Sequence, residues 1–170
     1  MNNEANRLGL KNTFFINPSG LDPINPTKQI NYSTVEDLVI FIKYLLKNNN
    51  NLFWNILSTK EVELYEKKLV NTNKLLGEIP SIVGGRTGWT IMAGGSLILV
   101  LEVTEDDEDS ASSFHFDNNR KCDEASVSSL FYLNNTCNEG YLINIILGTP
   151  TPESRFEEMK KMIKWTKKLK

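Results

Sequence analysis

The sequence predicts a mixed fold of helices and strands, and three observations carry that expectation. An amphipathic helical pattern lies in the first third of the chain and another closes it. Between them run two apolar stretches, Ser96 to Val103 and Tyr141 to Leu147, whose Leu, Ile and Val content and short length fit strands covered on both faces. Glycine pairs, Gly84-Gly85 and Gly94-Gly95, punctuate the middle, where two adjacent strands meet.

Taken in order, residues Asn2 to Leu10 read as the end of a helix, with Ala5, Leu8 and Met1 on one face and Gly9 as the breaker. Phe14-Phe15-Ile16 is a short extended piece that runs into Asn17-Pro18-Ser19-Gly20, a dense set of turn formers. Ser33-Thr34-Val35-Glu36 has capping-box spacing, with Ser33 as the cap. Val35, Leu38, Val39, Ile42, Leu45 and Leu46 then recur at helical spacing. Leu52 to Leu57 predicts a second short helix, and Thr59 to Tyr65 alternates as a half-buried strand. Asn71-Thr72-Asn73-Lys74-Leu75-Leu76-Gly77 reads as a capped half-turn. At the end, Thr151-Pro152-Glu153 predicts a helix start, with Phe156, Met159, Ile163 and Thr166 facing inward and the lysines solvated.

Composition bounds the function. At 170 residues with 40% hydrophobic and 24% charged content, the chain fits one domain or a large piece of one. A formal charge of -2 provides no basic field for nucleic acid. No apolar run is long enough for a membrane span, and the first residues lack the pattern of a signal peptide. From about residue 104 to 139 the composition changes to acidic residues, Ser and Asn, which predicts a polar surface insertion. Its run Glu105 to Asp109 reads as a solvated loop rather than a metal site, because consecutive carboxylates do not converge on one ion without a scaffold. Cys122 and Cys137 match no zinc spacing and read as two free thiols, with a single disulfide as the alternative. Ser126 to Leu133 fits either a short helix or a strand, and the lone His115 has no partner residues to make it a base. No metal or cofactor is expected.

The stretch with chemical content is Gly84-Gly85-Arg86-Thr87-Gly88-Trp89-Thr90. Bare backbone at the glycines lets a ligand lie alongside, and a cation beside a hydroxyl suits a carboxylate. A Gly-rich turn with a solvated arginine is the plainer meaning of the same residues, and the motif alone does not decide.

Its neighbours do. Asn6 to Thr13 with Phe15 to Leu21, then Ser33 to Leu38, Asn71 to Leu76, Gly84 to Thr90, and Gly148 with Arg155-Phe156 together resemble, in this order, the low-molecular-weight D-alanyl-D-alanine carboxypeptidases. These are serine peptidases of the penicillin-binding-protein and β-lactamase fold. The likeness covers about Met1 to Val103 and Gly140 to Lys170 and leaves the insertion outside. It implies an α+β architecture, part of a β-lactamase/DD-peptidase-like fold, with an antiparallel sheet flanked by helices. The strands near 83–90, 96–103 and 140–147 would be neighbours covered by the terminal helix.

The family attacks D-Ala-D-Ala with a serine from Ser-x-x-Lys, helped by Ser-x-Asn and by a third motif, Lys-Thr-Gly, on an edge strand. Arg86-Thr87-Gly88 resembles that third motif. By this likeness Thr87 bonds the substrate's terminal carboxylate, Arg86 supplies charge, Gly88 is grouped with them as substrate-binding, and the Trp89 backbone N–H is an oxyanion-hole donor. Arginine in place of lysine keeps the charge but not a proton-relay role. Neither Ser-x-x-Lys nor Ser-x-Asn occurs in the chain, so no acyl-enzyme is expected from it alone. The resemblance implies the C-terminal part, residues 1–170, of a catalytic domain. A peptidoglycan stem peptide or a β-lactam would be the ligand of the complete enzyme, outside the cytoplasm, with an N-terminal part as complement. A non-catalytic peptide-binding scaffold and a degenerate fragment are the alternatives.

Overall fold

The computed structural model describes residues 1–25, 29–48, 51–104, 130–132 and 139–166. Helix α1, Asn2–Arg7, buries Ala5 and ends ahead of Gly9, whose φ of 76° is the left-handed turn that a glycine permits. Met1 is left exposed. The turn formers behave as their chemistry directs: the Asn17 carboxamide oxygen accepts from the Gly20 N–H (2.8 Å), and Asn31 Oδ1 accepts from the N–H groups of Ile16 and Asn17.

Helix α2, Val35–Lys47, is capped by Thr34, whose hydroxyl accepts from the Asp37 N–H at 3.3 Å. The cap is therefore one residue later than the expected Ser33. Ser33 is engaged elsewhere, its hydroxyl 2.8 Å from that of Thr13. Asp37 is buried and accepts from the Asn12 N–H (2.8 Å) and the Thr13 hydroxyl (2.6 Å), which fastens the start of α2 to the N-terminal loop. Helix α3, Asn51–Ser58, follows.

Strands β1, Glu61–Leu64, and β2, Lys67–Val70, form a separate two-stranded hairpin with every residue exposed. The half-buried strand expected at 59–65 is thus corrected: its alternation is real, but neither face is covered by a second layer. β2 has no counterpart in the sequence reading. Its turn uses Tyr65 and Glu66 at φ 49° and 62°, the left-handed pair of a two-residue hairpin turn, without the usual Asn-Gly.

The main sheet contains β3, Ile82–Thr90, β4, Gly94–Thr104, β5, Leu130–Tyr132, and β6, Glu139–Thr149, in the order β3-β4-β6-β5 with every pairing antiparallel. The pairs expected among 83–90, 96–103 and 140–147 are all present. Helix α4, Ser154–Thr166, covers one face of the sheet. It starts later than the sequence implied, because Pro152 and Glu153 lie in a turn. Thr151 still caps it, its hydroxyl accepting from the Ser154 N–H at 3.1 Å.

Alternation along β4 builds two cores at once. Leu97, Leu99, Leu101 and Val103 join Leu142 of β6, Leu75 and the α4 residues Phe156, Met159 and Ile163. Val100 joins Ile143 of β6 and Ile42 and Leu46 of α2, with Ile98 and Trp54 packed against them. This is an α+β architecture with an antiparallel sheet between helices. Of the insertion expected at about 104–139, only Thr104 at the end of β4, β5 and Glu139 at the start of β6 lie inside the described residues. The acidic run, His115, Cys122 and Cys137 lie outside them. Among the described residues no helix is long and apolar enough to cross a membrane, and no cluster of potential metal ligands occurs.

Candidate active site

Strand β3 is the outer strand of its sheet, with β4 on one side only. The expected residues Arg86, Thr87, Gly88 and Trp89 all lie on it, opposite Ile98, Leu97, Ser96 and Gly95. Its glycines differ in what they face. A Cβ at Gly84 would come within 3.0 Å of Trp54 and Leu57 on α3. A Cβ at Gly85 would meet Leu99 Cδ2 at 2.5 Å and the Ile98 carbonyl at 2.8 Å. A Cβ at Gly88 would have only Ser96 Cβ near it, at 3.8 Å, so this glycine is not required by packing within the chain.

Period-two alternation sends Arg86 to the α3 face with Gly84, and Thr87 to the α4 face with Gly85. The cation and the hydroxyl therefore flank the strand from opposite sides and serve one ligand only at the free edge. The main chain agrees. The Glu102 N–H donates to the Ser81 carbonyl (2.8 Å), which sets the phase of the antiparallel ladder so that the even-numbered residues of β4 bond to β3. In the observed register Arg86, Gly88 and Thr90 turn their N–H and C=O toward β4, whereas Thr87 and Trp89 turn theirs to the free edge.

Two partners of this strand lie in stretches that the family pattern includes, but their contacts with it were not foreseen from the sequence. Thr72 Oγ1 lies 2.6 Å from Thr87 Oγ1, so the half-turn at 71–76 delivers a hydroxyl to the motif. Asn71 Oδ1 accepts from the Asn73 N–H (2.9 Å) and Asn73 Oδ1 from the Leu75 N–H (3.2 Å), which hold that half-turn in shape over the buried Leu75 and Leu76. The second partner is Arg155 of α4, buried, with Nη1 2.5 Å from the Gly88 carbonyl. A consonant pair, Arg155-Phe156, was legible as part of a family pattern, but its contact with β3 was not.

On the Arg86 side of β3 an apolar cavity of about 650 Å³ opens between α1, α2, α3 and the sheet. Leu8, Phe41, Leu45, Phe53, Trp54 and Val100 are among its lining residues, and Arg86 stands at its margin. The buried Trp54 indole N–H has no hydrogen-bond partner.

This is the fold of penicillin-binding proteins of the DD-peptidase kind. Penicillin-binding protein D2 of Listeria monocytogenes, solved in a cefotaxime-bound form, matches with a TM-score of 0.67 and 25% identity over 97% of this chain and 52% of that one. Penicillin-binding protein 5 of Haemophilus influenzae matches with a TM-score of 0.65 and 27% identity over 96% of this chain and 37% of that one. The family described as D-alanyl-D-alanine carboxypeptidase matches residues 1–112, and the chain belongs to that family. Among curated relatives, D-alanyl-D-alanine carboxypeptidase DacF of Bacillus subtilis is 41% identical over 93 residues, 53% of this chain and 23% of that protein. DacA of Haemophilus influenzae is 28% identical over 166 residues, 97% of this chain and 32% of that protein. The chain thus spans only a part of each relative.

Proposed function

We propose that this chain is the portion of a serine-type D-Ala-D-Ala carboxypeptidase that holds the acyl-donor peptide, with Arg86-Thr87-Gly88-Trp89 as its third active-site motif. The observation that carries this reading is that β3 is a free edge on which Thr87 and Trp89 present their main-chain groups, beside a glycine whose side is open. An extended stem peptide would add to this edge as a further strand. Thr87 Oγ1 would donate to the terminal carboxylate. A threonine has one proton, so for Thr87 to donate outward it must accept from Thr72, 2.6 Å away, in a contact where either hydroxyl can be the donor. Arg86 would supply fixed charge from the opposite face, and the outward Trp89 N–H would serve as an oxyanion donor.

With neither Ser-x-x-Lys nor Ser-x-Asn in the sequence, the nucleophile and its general base would come from a complementing part. The apolar cavity beside Arg86 supports a complementing part that packs there. Such an enzyme works on cell-wall peptide, so the site of action is extracytoplasmic, and β-lactams are its expected inhibitors.

The test is titration of the isotopically labelled chain with N-acetyl-D-Ala-D-Ala. Amide resonances of Thr87, Gly88 and Trp89 are expected to move together and saturate, while the L-Ala-L-Ala analogue leaves them in place. Movement elsewhere, or equal response to both peptides, would sink the assignment. Fluorescent penicillin is expected to leave this chain unlabelled, and covalent labelling of it would place a nucleophile among these residues.

A further inference from the structure

Arg155 is a cation kept in the interior at 7% exposure, and among the described residues no carboxylate pairs with it. Its guanidinium lies 4.9 Å from the Phe156 ring, its Nε has no partner, and its one hydrogen bond runs from Nη1 to the Gly88 carbonyl. Burying a guanidinium without a counter-ion is unfavourable, so a sequence that needed only packing here would do better with an apolar residue. The position instead delivers charge to one peptide group of β3.

That peptide is the one that matters at the edge. The Gly88 C=O and the Trp89 N–H belong to the same planar trans unit and point in opposite directions. The ladder phase turns the Gly88 oxygen inward, toward β4 and α4, and the Trp89 N–H outward. A carbonyl oxygen has two lone pairs. Ser96, the register partner of Gly88, has its N–H placed for one of them, and Arg155 takes the other. A cation on the oxygen draws electron density from the amide nitrogen, so the N–H at the other end becomes a stronger donor.

We propose that Arg155 is a positioning residue that, through the Gly88 carbonyl, fixes and polarises the Gly88–Trp89 peptide so that the outward Trp89 N–H is a strengthened donor to an anionic oxygen at the free edge. This rests on the proposed role of the edge, and it concerns a residue of α4, on the face of the sheet that Thr87 also occupies, acting through the Gly88 carbonyl.

The test compares the wild-type chain with Arg155→Lys and Arg155→Met by NMR. In the wild type, a trans-hydrogen-bond coupling between the Arg155 side-chain nitrogen and the Gly88 carbonyl carbon is expected, a readout that needs no variant to fold. In Arg155→Met, the Gly88 carbonyl ¹³C and Trp89 amide ¹⁵N resonances are expected to move upfield while the β4 and β6 amides hold their places. N-acetyl-D-Ala-D-Ala binding should weaken about fivefold, the effect of one ordinary hydrogen bond. Arg155→Lys, which keeps a charged donor, should restore part of both shifts and of the affinity. Absence of the coupling, or Met and Lys variants with the same Trp89 resonance, would overturn the proposal. If the Arg155-dependent shifts appear but no peptide binds, the polarisation stands and the substrate reading of the edge falls.

Discussion

Replacing Gly85 and Gly88 separately by alanine separates what packing demands of β3 from what a ligand would demand. At Gly85 the new methyl would sit 2.5 Å from Leu99 Cδ2, 2.8 Å from Asn73 Nδ2 and 2.8 Å from the Ile98 carbonyl. Leu99 is fully buried in the α4-side core, and Ile98 O is backbone, so neither gives way freely. Overpacking of this kind costs about 1–3 kcal/mol. Displacing Asn73 also loosens its bond to the Leu75 N–H, worth about 1 kcal/mol. Against this, a stiffer unfolded chain returns about 0.4–1 kcal/mol. The net expectation is a loss of about 1–3 kcal/mol, which at urea slopes of about 1–3 kcal/mol/M lowers the midpoint by roughly 1 M or abolishes the cooperative transition. Gly88→Ala meets only Ser96 Cβ at 3.8 Å and should move the midpoint hardly at all, yet its methyl occupies the open side of the motif and should abolish N-acetyl-D-Ala-D-Ala binding. Urea unfolding followed by tryptophan fluorescence checks the first half and the amide titration the second. Equal midpoints for wild type and Gly85→Ala, or a Gly88→Ala chain that still binds the peptide, would refute the reasoning.

The remaining expectations concern the elements that hold the motif. Asp37→Ala leaves the Thr13 hydroxyl and the Asn12 N–H without their charged acceptor and should cost about 3 kcal/mol, with Asp37→Asn intermediate, as read by thermal unfolding; an unchanged midpoint would mean that this buried carboxylate does not anchor α2. Thr72→Val keeps shape but removes the hydroxyl that, on the proposed reading, donates to Thr87. It should leave the unfolding midpoint in place and weaken N-acetyl-D-Ala-D-Ala binding about fivefold, and an unchanged affinity would show that Thr87 needs no orienting partner.

The parts of the fold that were readable in advance are those where periodicity and burial coincide. Leu97 to Val103 and the set Ile42, Leu46 announce themselves because every second or every third to fourth residue must be apolar to enter one of the two cores. The hairpin at 61–70 breaks that link: Val62 and Leu64 alternate with glutamates, but nothing covers them, and the turn at Tyr65-Glu66 adopts left-handed backbone without the residue types that signal it. Ser33 and Thr34 are both good caps, and each has an acid three residues on. Only the Thr13 hydroxyl, brought from a distant loop, decides between them by engaging Ser33. In the candidate site the motif's residues were readable, whereas the split of Arg86 and Thr87 to opposite faces follows from strand geometry once β3 is placed. The contributions of Thr72 and Arg155 depend on contacts across 15 and 67 residues of sequence, which no local pattern encodes.

The cavity and the motif meet at Arg86, and that meeting constrains how the proposed enzyme is built. Native interiors hold few voids larger than a water molecule, yet about 650 Å³ of apolar space lies between α1, α2, α3 and the sheet, with the buried Trp54 N–H unpaired. On the opposite face of the same sheet α4 packs Phe156, Met159 and Ile163 into the core, although Arg155 Nε and Asn73 Nδ2 are unpaired there. One face is therefore covered and holds the Gly88–Trp89 peptide through Arg155, while the other is open on the side where Arg86 projects. A complement that packed into the open face would bury the cavity's apolar lining and bring its own polar groups to within reach of Arg86 and the free edge in the same step. On the proposed reading, stability and a complete active site are gained together: the surface left uncovered among the described residues is the surface against which a nucleophile has to be presented.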